Sequence, residues 1–245
     1  MEKTWYQRLK TRLRLPNFTC DVCGRELFDG ARICSDCIGR LPYIGICCPL
    51  CGRRVKEAGV CVECKARRLA AGKCRSVCTH DGEASRLVMR YKDGSRYLST
   101  AIADLMLPVL EREFPDVQAL VPVPATEAAK KRRGFDHVRL LAEALSSRCG
   151  VPVLDAVIKQ KETAQQKTLS RREREKNLEG CFHVRDRAAV KDKILLIIDD
   201  TLTTGATVHE LSGVLLRARA KRVDALTLTS VENRIPFGLP SDKER

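Results

Sequence analysis

Residues 194–207 read I-L-L-I-I-D-D-T-L-T-T-G-A-T, and this stretch decides the fold. The aliphatic run from Ile194 to Ile198 has the length of a buried strand and is far short of the roughly 20 helical residues that cross a bilayer. Two carboxylates, Asp199 and Asp200, are expected to end the strand. Small hydroxyl residues and Gly205 then lead into a helical pattern carried by Val208, Leu211, Leu215 and Ala218. Such a turn leaves backbone amides and the positive end of the helix dipole at the strand end, where they suit a phosphate. Adjacent acids suit the vicinal hydroxyls of a ribose, so both halves of a sugar phosphate have partners. The plainer alternative has the acids terminating a strand while Thr203 or Thr204 caps a helix.

Spacing excludes two other uses of paired acids. An acid-nucleophile phosphatase places its two working aspartates one residue apart, where Thr201 stands here. A phosphoacceptor receiver needs a further aspartate at another strand end, and the sequence offers no convincing one.

Outward from this stretch, everything after Asp81 alternates between helical and strand patterns, the signature of a parallel sheet covered by helices. Helices are expected over 83–91, 97–114, 136–148 and 205–220. Strands are expected over 118–123, 193–198 and 222–231, with a shorter one at 182–184. The segment 159–180 is hydrophilic and basic and reads as a solvated helix or a mobile loop.

Upstream the texture differs. Eleven of the thirteen cysteines fall within the first 78 residues. In a secreted miniprotein they would imply disulfides, but clustering in pairs points to metal. Cys20-x2-Cys23 and Cys34-x2-Cys37 are followed by Cys48-x2-Cys51 and Cys61-x2-Cys64, the same arrangement twice. Each pair presents two sulphurs on one side of a turn, and two turns close a tetrahedron around Zn²⁺. Four thiolates per ion leave no open position, so two structural Zn²⁺ sites are expected, replacing a core that this loop-rich segment cannot build. Pairing is either sequential or interleaved between the halves. Cys47, Cys74, Cys78, Cys149 and Cys181 fall outside the pattern. The expected organisation is a basic N-terminal helix over 1–16, a double four-cysteine zinc-binding module over 17–78, the α/β domain over 79–234 and a polar tail over 235–245.

Aromatic residues make up 4% of the chain, so the core should be aliphatic and few rings are available to stack bases. The net charge of +14 suits an anionic partner such as nucleic acid, or a basic surface kept soluble. The N-terminus places Trp5, Leu9 and Leu13 at helical spacing but lacks the apolar stretch of a signal peptide. The expectation is a cytoplasmic protein without membrane insertion.

Residues 194–207 resemble the phosphoribosyl pyrophosphate (PRPP) loop of type I phosphoribosyltransferases. The cysteine pairs, V-P-V-P at 121–124, K-K-R-R-G-F-D-H at 130–137 and T-A-Q-Q-K-T-L-S-R-R-E-R-E-K-N-L-E-G-C-F at 163–182 together resemble the ComF/ComFC family, GntX-like proteins included. That family includes competence proteins that handle incoming transforming DNA. The resemblance implies a type I phosphoribosyltransferase-like parallel sheet with an N-terminal zinc-ribbon module. It also implies Asp199 and Asp200 on the ribose hydroxyls, and Thr203, Thr204, Gly205 and Thr207 around the 5-phosphate, with Thr201 a weaker member. Arg133 becomes a candidate for the pyrophosphate, Lys92 matches a family lysine after the first helix, and Gln166 and Arg174 fall in the segment matching a flexible hood. The family pattern R-G-F-N-Q is broken by Asp136 and His137.

If the chain is an enzyme, the resemblance implies Mg²⁺ with PRPP and an acceptor the sequence does not specify. The implied function is a PRPP-binding protein of DNA uptake or processing during natural transformation. The alternative is a non-catalytic factor that senses a phosphoribosyl ligand while its zinc module docks DNA-uptake or recombination proteins or binds single-stranded DNA. In that case Arg53, Arg54, Lys56, Lys65, Arg67 and Arg68 would meet DNA phosphates.

Overall fold

The structure is a computed structural model that describes residues 19–66, 68–160 and 180–232. The expected helix over 1–16, the tail over 235–245, Arg67, Gln166 and Arg174 lie outside the described residues. Two short helices, α1 (Ser35–Gly39) and α2 (Val62–Ala66), belong to the cysteine-rich part. The α/β part comprises β1 (Cys74–Thr79), α3 (Gly82–Lys92), α4 (Leu98–Glu113), β2 (Ala119–Pro122), α5 (Glu127–Arg133) and α6 (His137–Cys149). It continues with β3 (Val157–Lys159), β4 (Phe182–Val184), α7 (Arg187–Val190), β5 (Ile194–Leu202), α8 (Ala206–Arg217) and β6 (Arg222–Ser230).

β5 carries the deciding stretch, and it runs past the two acids instead of ending at them. Its parallel partner β6 stays in register as far as Leu202 opposite Ser230, so the backbones of Asp199 and Asp200 remain in the ladder. The sheet is parallel throughout, in the order β1-β6-β5-β2, and Leu120 of β2 also bridges Val153 in parallel. β3 and β4 form a separate antiparallel pair.

Side chains alternate across a strand. Leu196 and Ile198 pack on one face with Leu87, Ile102 and Leu141 from α3, α4 and α6. Leu195 and Ile197 pack on the other with Leu211 and Leu215 of α8 and Phe182 of β4. Burial on both faces explains why this strand is continuously apolar rather than alternating. The same alternation sends Asp200 toward α3 and α6 and leaves Asp199 on the α8 side.

The domain boundary expected at 78 falls inside β1, which pairs with β6 from Cys74 opposite Ala225 to Thr79 opposite Ser230. C-R-S-V-C-T was masked by its cysteines and read as the end of the zinc module. Both thiols are core groups, and burial pushes each up to about 12. The K-K-R-R run, outside the helices expected from the sequence, is also regular structure. It forms most of α5, capped by the Thr126 hydroxyl accepting from the Ala129 amide and stopped by Gly134 at φ 73°. α5 buries no residue, so it has no apolar periodicity to read.

The first cysteine group packs with Leu27 and Ile33 against Ala101 and Leu105 of α4. In the second, Gly52 lies so close to β1 that a Cβ there would collide with the Cys74 carbonyl oxygen. No helix among the described residues is long and apolar enough to cross a membrane.

Candidate functional site

The eight expected ligands gather as two separate groups, Cys20, Cys23, Cys34 and Cys37, then Cys48, Cys51, Cys61 and Cys64. Within each group the sulphurs lie within 4.8 Å of one another, so the pairing is sequential. A tetrahedron with sulphurs about 2.3 Å from Zn²⁺ has edges of about 3.8 Å. Cys23 and Cys34 are separated by 3.8 Å and Cys51 and Cys61 by 3.7 Å, which fits. Backbone amides are aimed at the sulphurs: Val22 and Cys34 donate to Cys20 Sγ at 3.4 and 3.3 Å, and Cys61 donates to Cys48 Sγ at 3.4 Å. Burial alone would raise these two thiols, but amide donors outweigh it and draw Cys20 down to about 6 and Cys48 to about 7. The donor set is that of a structural zinc site.

The acid pair divides into two unlike groups. Asp200 is 5% exposed, with Lys92 Nζ 2.9 Å from its Oδ1 and His137 Nε2 2.8 Å from its Oδ2. Burial would raise its pKa, but Lys92 and the His137 hydrogen bond hold it far below the usual carboxylate range. Lys92 ends α3 and His137 opens α6. The preceding residue of α3, Tyr91, donates its hydroxyl to the His137 carbonyl at 2.5 Å and ties the two helix ends together. Arg133 Nη1 sits 3.3 Å from His137 Nδ1. A guanidinium can only donate, so Nδ1 accepts there, which puts the imidazole proton on Nε2, where it is donated to Asp200.

Asp199 is half-buried, and its Oδ1 accepts from the Asp200 amide at 2.9 Å. Burial first, then the charge of Asp200, push its pKa up to about 7. A carboxyl whose folded pKa exceeds its unfolded value favours the protonated fold. Asp199 therefore costs stability as pH rises from 3.8 toward about 7 and no more beyond that. Urea midpoints measured at pH 5 and pH 8 are expected to fall further for the parent than for Asp199→Asn; equal falls would refute this account of Asp199.

Beyond the acids, the members of the loop are not equivalent. The Thr201 hydroxyl accepts from Thr229 of β6 at 3.1 Å and serves the sheet. Thr204 Oγ1 accepts from the Ala206 amide at 3.3 Å, so this hydroxyl occupies the first amide of α8 without being its N-cap residue. Thr203 is exposed, and Thr207 lies in the first turn of α8, where amides lack intrahelical acceptors. Gly205 is the α8 N-cap at φ 83°, a left-handed conformation that suits glycine, with Leu69 beneath it.

Asp136 and His137, the two breaks in the family pattern, both have work. Asp136 caps α6 by accepting from the Arg139 amide at 3.1 Å, and His137 braces Asp200. Two of the residues assigned to DNA phosphates are engaged elsewhere. Arg53 is 4% exposed and bonded inside the protein, and Arg54 donates to the Tyr43 carbonyl at 2.6 Å. Lys56, Lys65 and Arg68 are exposed. The part played by Arg53 and Leu69 at the loop had no signal in the sequence, because both contacts join segments more than 130 residues apart.

Residues 11–65 match the double zinc ribbon domain family, and residues 131–236 match the phosphoribosyl transferase domain family. The chain is 30% identical over 224 residues to competence protein ComFC of Bacillus subtilis (strain 168), covering 86% of this chain and 90% of that protein. It is likewise 30% identical over 221 residues to the DNA utilization protein YhgH of Escherichia coli (strain K12), covering 85% and 95%. Among solved structures it is similar to the glutamine PRPP amidotransferase from B. subtilis, at 19% identity and a TM-score of 0.39, over 57% of this chain and 30% of that one. With zinc-ribbon and phosphoribosyltransferase modules in one chain and 30% identity to these relatives over 85–86% of its length, the protein belongs to the ComF/ComFC family of competence and DNA utilization proteins.

Proposed function

We propose that the β5–α8 junction binds PRPP or a related ribose 5-phosphate, and that the protein uses this ligand in the uptake or processing of DNA in the cytoplasm. The observation that carries the reading is the inequality of the two acids. Asp200 is sealed between Lys92 and His137, while Asp199 is half-exposed beside a loop of hydroxyls and the N-terminal end of α8. Asp199 then accepts from the ribose hydroxyls. The amides of the loop and first turn, with the hydroxyls of Thr203 and Thr207, take the 5-phosphate. Thr204 contributes through its backbone, its hydroxyl being committed to Ala206.

Lys92 and Arg133 supply positive charge on the Asp200 side, where a departing diphosphate would need it. Asp200 orients Lys92 directly and Arg133 through the imidazole of His137. The oxygen-rich donor set suits a hard cation, and Mg²⁺ bound with PRPP would neutralise part of the diphosphate charge. A protein nucleophile is not required. The DNA role is supported by the names of the relatives, a competence protein and a DNA utilization protein.

Calorimetric titration of PRPP with Mg²⁺ into the zinc-loaded protein tests the site. Asp199→Asn is expected to weaken binding by roughly 10- to 100-fold, the loss of one or two charge-assisted hydrogen bonds. A parent that takes up no PRPP, or a variant that binds as tightly as the parent, would sink the reading. Diphosphate release in the presence of candidate acceptors then separates turnover from sensing.

A further inference from the structure

The second zinc ribbon reaches under the phosphate loop. Arg53 follows Cys51 and Gly52 in the Cys48–Cys51 knuckle, and its carbonyl accepts from the Cys48 amide at 2.9 Å. Its side chain is buried, with Nη1 2.7 Å from Glu63 Oε2, and Nη2 donates to the carbonyl of Thr203. Glu63 lies between Cys61 and Cys64, so this ion pair ties one knuckle to the other. The guanidinium is thus placed from two segments that the metal ligands flank, through the Arg53 backbone in one knuckle and the Glu63 carboxylate in the other. Further along, Leu69 packs against Gly205, and the Ala70 amide donates to His209 Nδ1 on α8 at 3.0 Å. Three contacts thus run from the second ribbon and the chain just after it to residues 203–209.

We infer that Arg53 is a positioning residue for the 203–207 loop, and that the second zinc site, rather than the first, sets the loop's affinity for a phosphorylated sugar. This rests on the sugar-phosphate reading of the site. The physical step is simple. In a trans peptide the N–H points opposite to the C=O. Holding the Thr203 carbonyl against the buried guanidinium turns the Thr204 amide to the opposite, solvent-facing side, where a phosphate would meet it. Released from Arg53, that peptide can rotate, and the loop must be ordered at the ligand's expense. The first ribbon has different neighbours: it packs on Ala101 and Leu105 of α4, and Arg90 of α3 donates to the Val22 carbonyl at 2.6 Å.

The test compares full-length, zinc-loaded parent with Arg53→Gln, Arg53→Lys, Glu63→Gln, Cys37→Ser and Cys64→Ser. Zinc content is measured for each, together with amide hydrogen exchange of the unliganded 200–209 segment and affinity for ribose 5-phosphate. Arg53→Gln should keep both zinc ions, speed exchange of the Ala206 and His209 amides, which donate to Thr204 Oγ1 and the Gly205 carbonyl, about tenfold and weaken ribose 5-phosphate binding by a similar factor. Arg53→Lys should recover part of both, because an ammonium can still donate to one of the two acceptors, and Glu63→Gln should give a smaller loosening. Cys64→Ser should reproduce Arg53→Gln or exceed it, whereas Cys37→Ser should leave the loop as in the parent. Unchanged loop exchange in Arg53→Gln, or equal loosening by Cys37→Ser and Cys64→Ser, overturns the inference. A parent that binds no sugar phosphate refutes the ligand reading, and exchange of the unliganded loop still decides whether Arg53 positions it.

Discussion

Stripping the metal from this protein is expected to unfold residues 19–66 while the β1-β6-β5-β2 sheet persists. The buried apolar side chains of the second ribbon are Cys48, Cys51 and Cys64, and those of the first are mostly sulphur ligands with Leu27 and Ile33. Without metal there is little apolar area to offset the entropy of ordering nearly fifty residues of loop. Structural Zn²⁺ in small peptides contributes about 10–16 kcal/mol, more than such a module can replace. The two clusters that flank the sheet contain none of the eight ligands and are built mainly from aliphatic side chains of helices and strands, with Leu41 the one buried member drawn from 19–66. Chelation should therefore release two zinc ions per chain, collapse amide protection across 19–66 and leave most of the helical circular dichroism. Loss of sheet protection in the same step would show that the two parts fold as one unit.

The zinc sites and β5 were legible for the same reason: each is defined by spacing within a short stretch. Cys-x2-Cys pairs and a run of five aliphatics carry their geometry locally. The long helices were legible through their apolar faces, as with Leu87, Val88 and Tyr91 in α3. Where local pattern was absent or ambiguous, the reading failed. β1 hid behind two cysteines whose role is packing, and its identity depends on β6, about 150 residues away. α5 buries no side chain and is specified by its caps, Thr126 and Gly134. The end of β5 was placed too early because carboxylates usually leave a sheet, yet here the ladder to β6 carries them on to Leu202.

The site shows the same division. Sequence placed Asp199, Asp200 and the hydroxyls together and set Thr201 apart as a weaker member, but it did not rank the two acids. The difference between the acids arises from which face of the strand each occupies and from what the helix ends bring to that face. Lys92 was recognisable only as a match to a family lysine, and its partner emerges from the fold. His137 stood out as a break in the family pattern. Its position explains why either a histidine or a glutamine can serve there, since each can present an N–H to Asp200.

Asp200→Ala is expected to be the most damaging single substitution in the α/β domain. Removing one partner of a buried, hydrogen-bonded charge pair typically costs about 3–5 kcal/mol, because the remaining group is left buried and uncompensated. The Lys92 share is smaller, its side chain being 32% exposed and able to turn toward water, so the lower end of that range is expected. The larger share comes from His137, whose Nε2 proton would face a cavity, and from the carboxyl volume lost beside the Tyr91 hydroxyl bond. Asp200→Asn keeps the shape and one acceptor oxygen and should lose only part of this. His137→Gln should be nearly neutral, whereas His137→Leu should cost about 1–3 kcal/mol by stripping Asp200 of a donor. The sign with pH follows from the depressed pKa of Asp200. Its own stabilisation is fully present above its ordinary value of 3.8 and is lost only in strong acid, but its charge also helps raise Asp199 toward about 7, so the gap between parent and Asp200→Ala should narrow somewhat from about pH 5 to 7, stay level from about 7 to 8 and close only in strong acid. Urea unfolding of the four variants across that range measures all of this. If Asp200→Ala and His137→Leu both unfold at the parent's midpoint, the network does not hold α3 and α6 against β5.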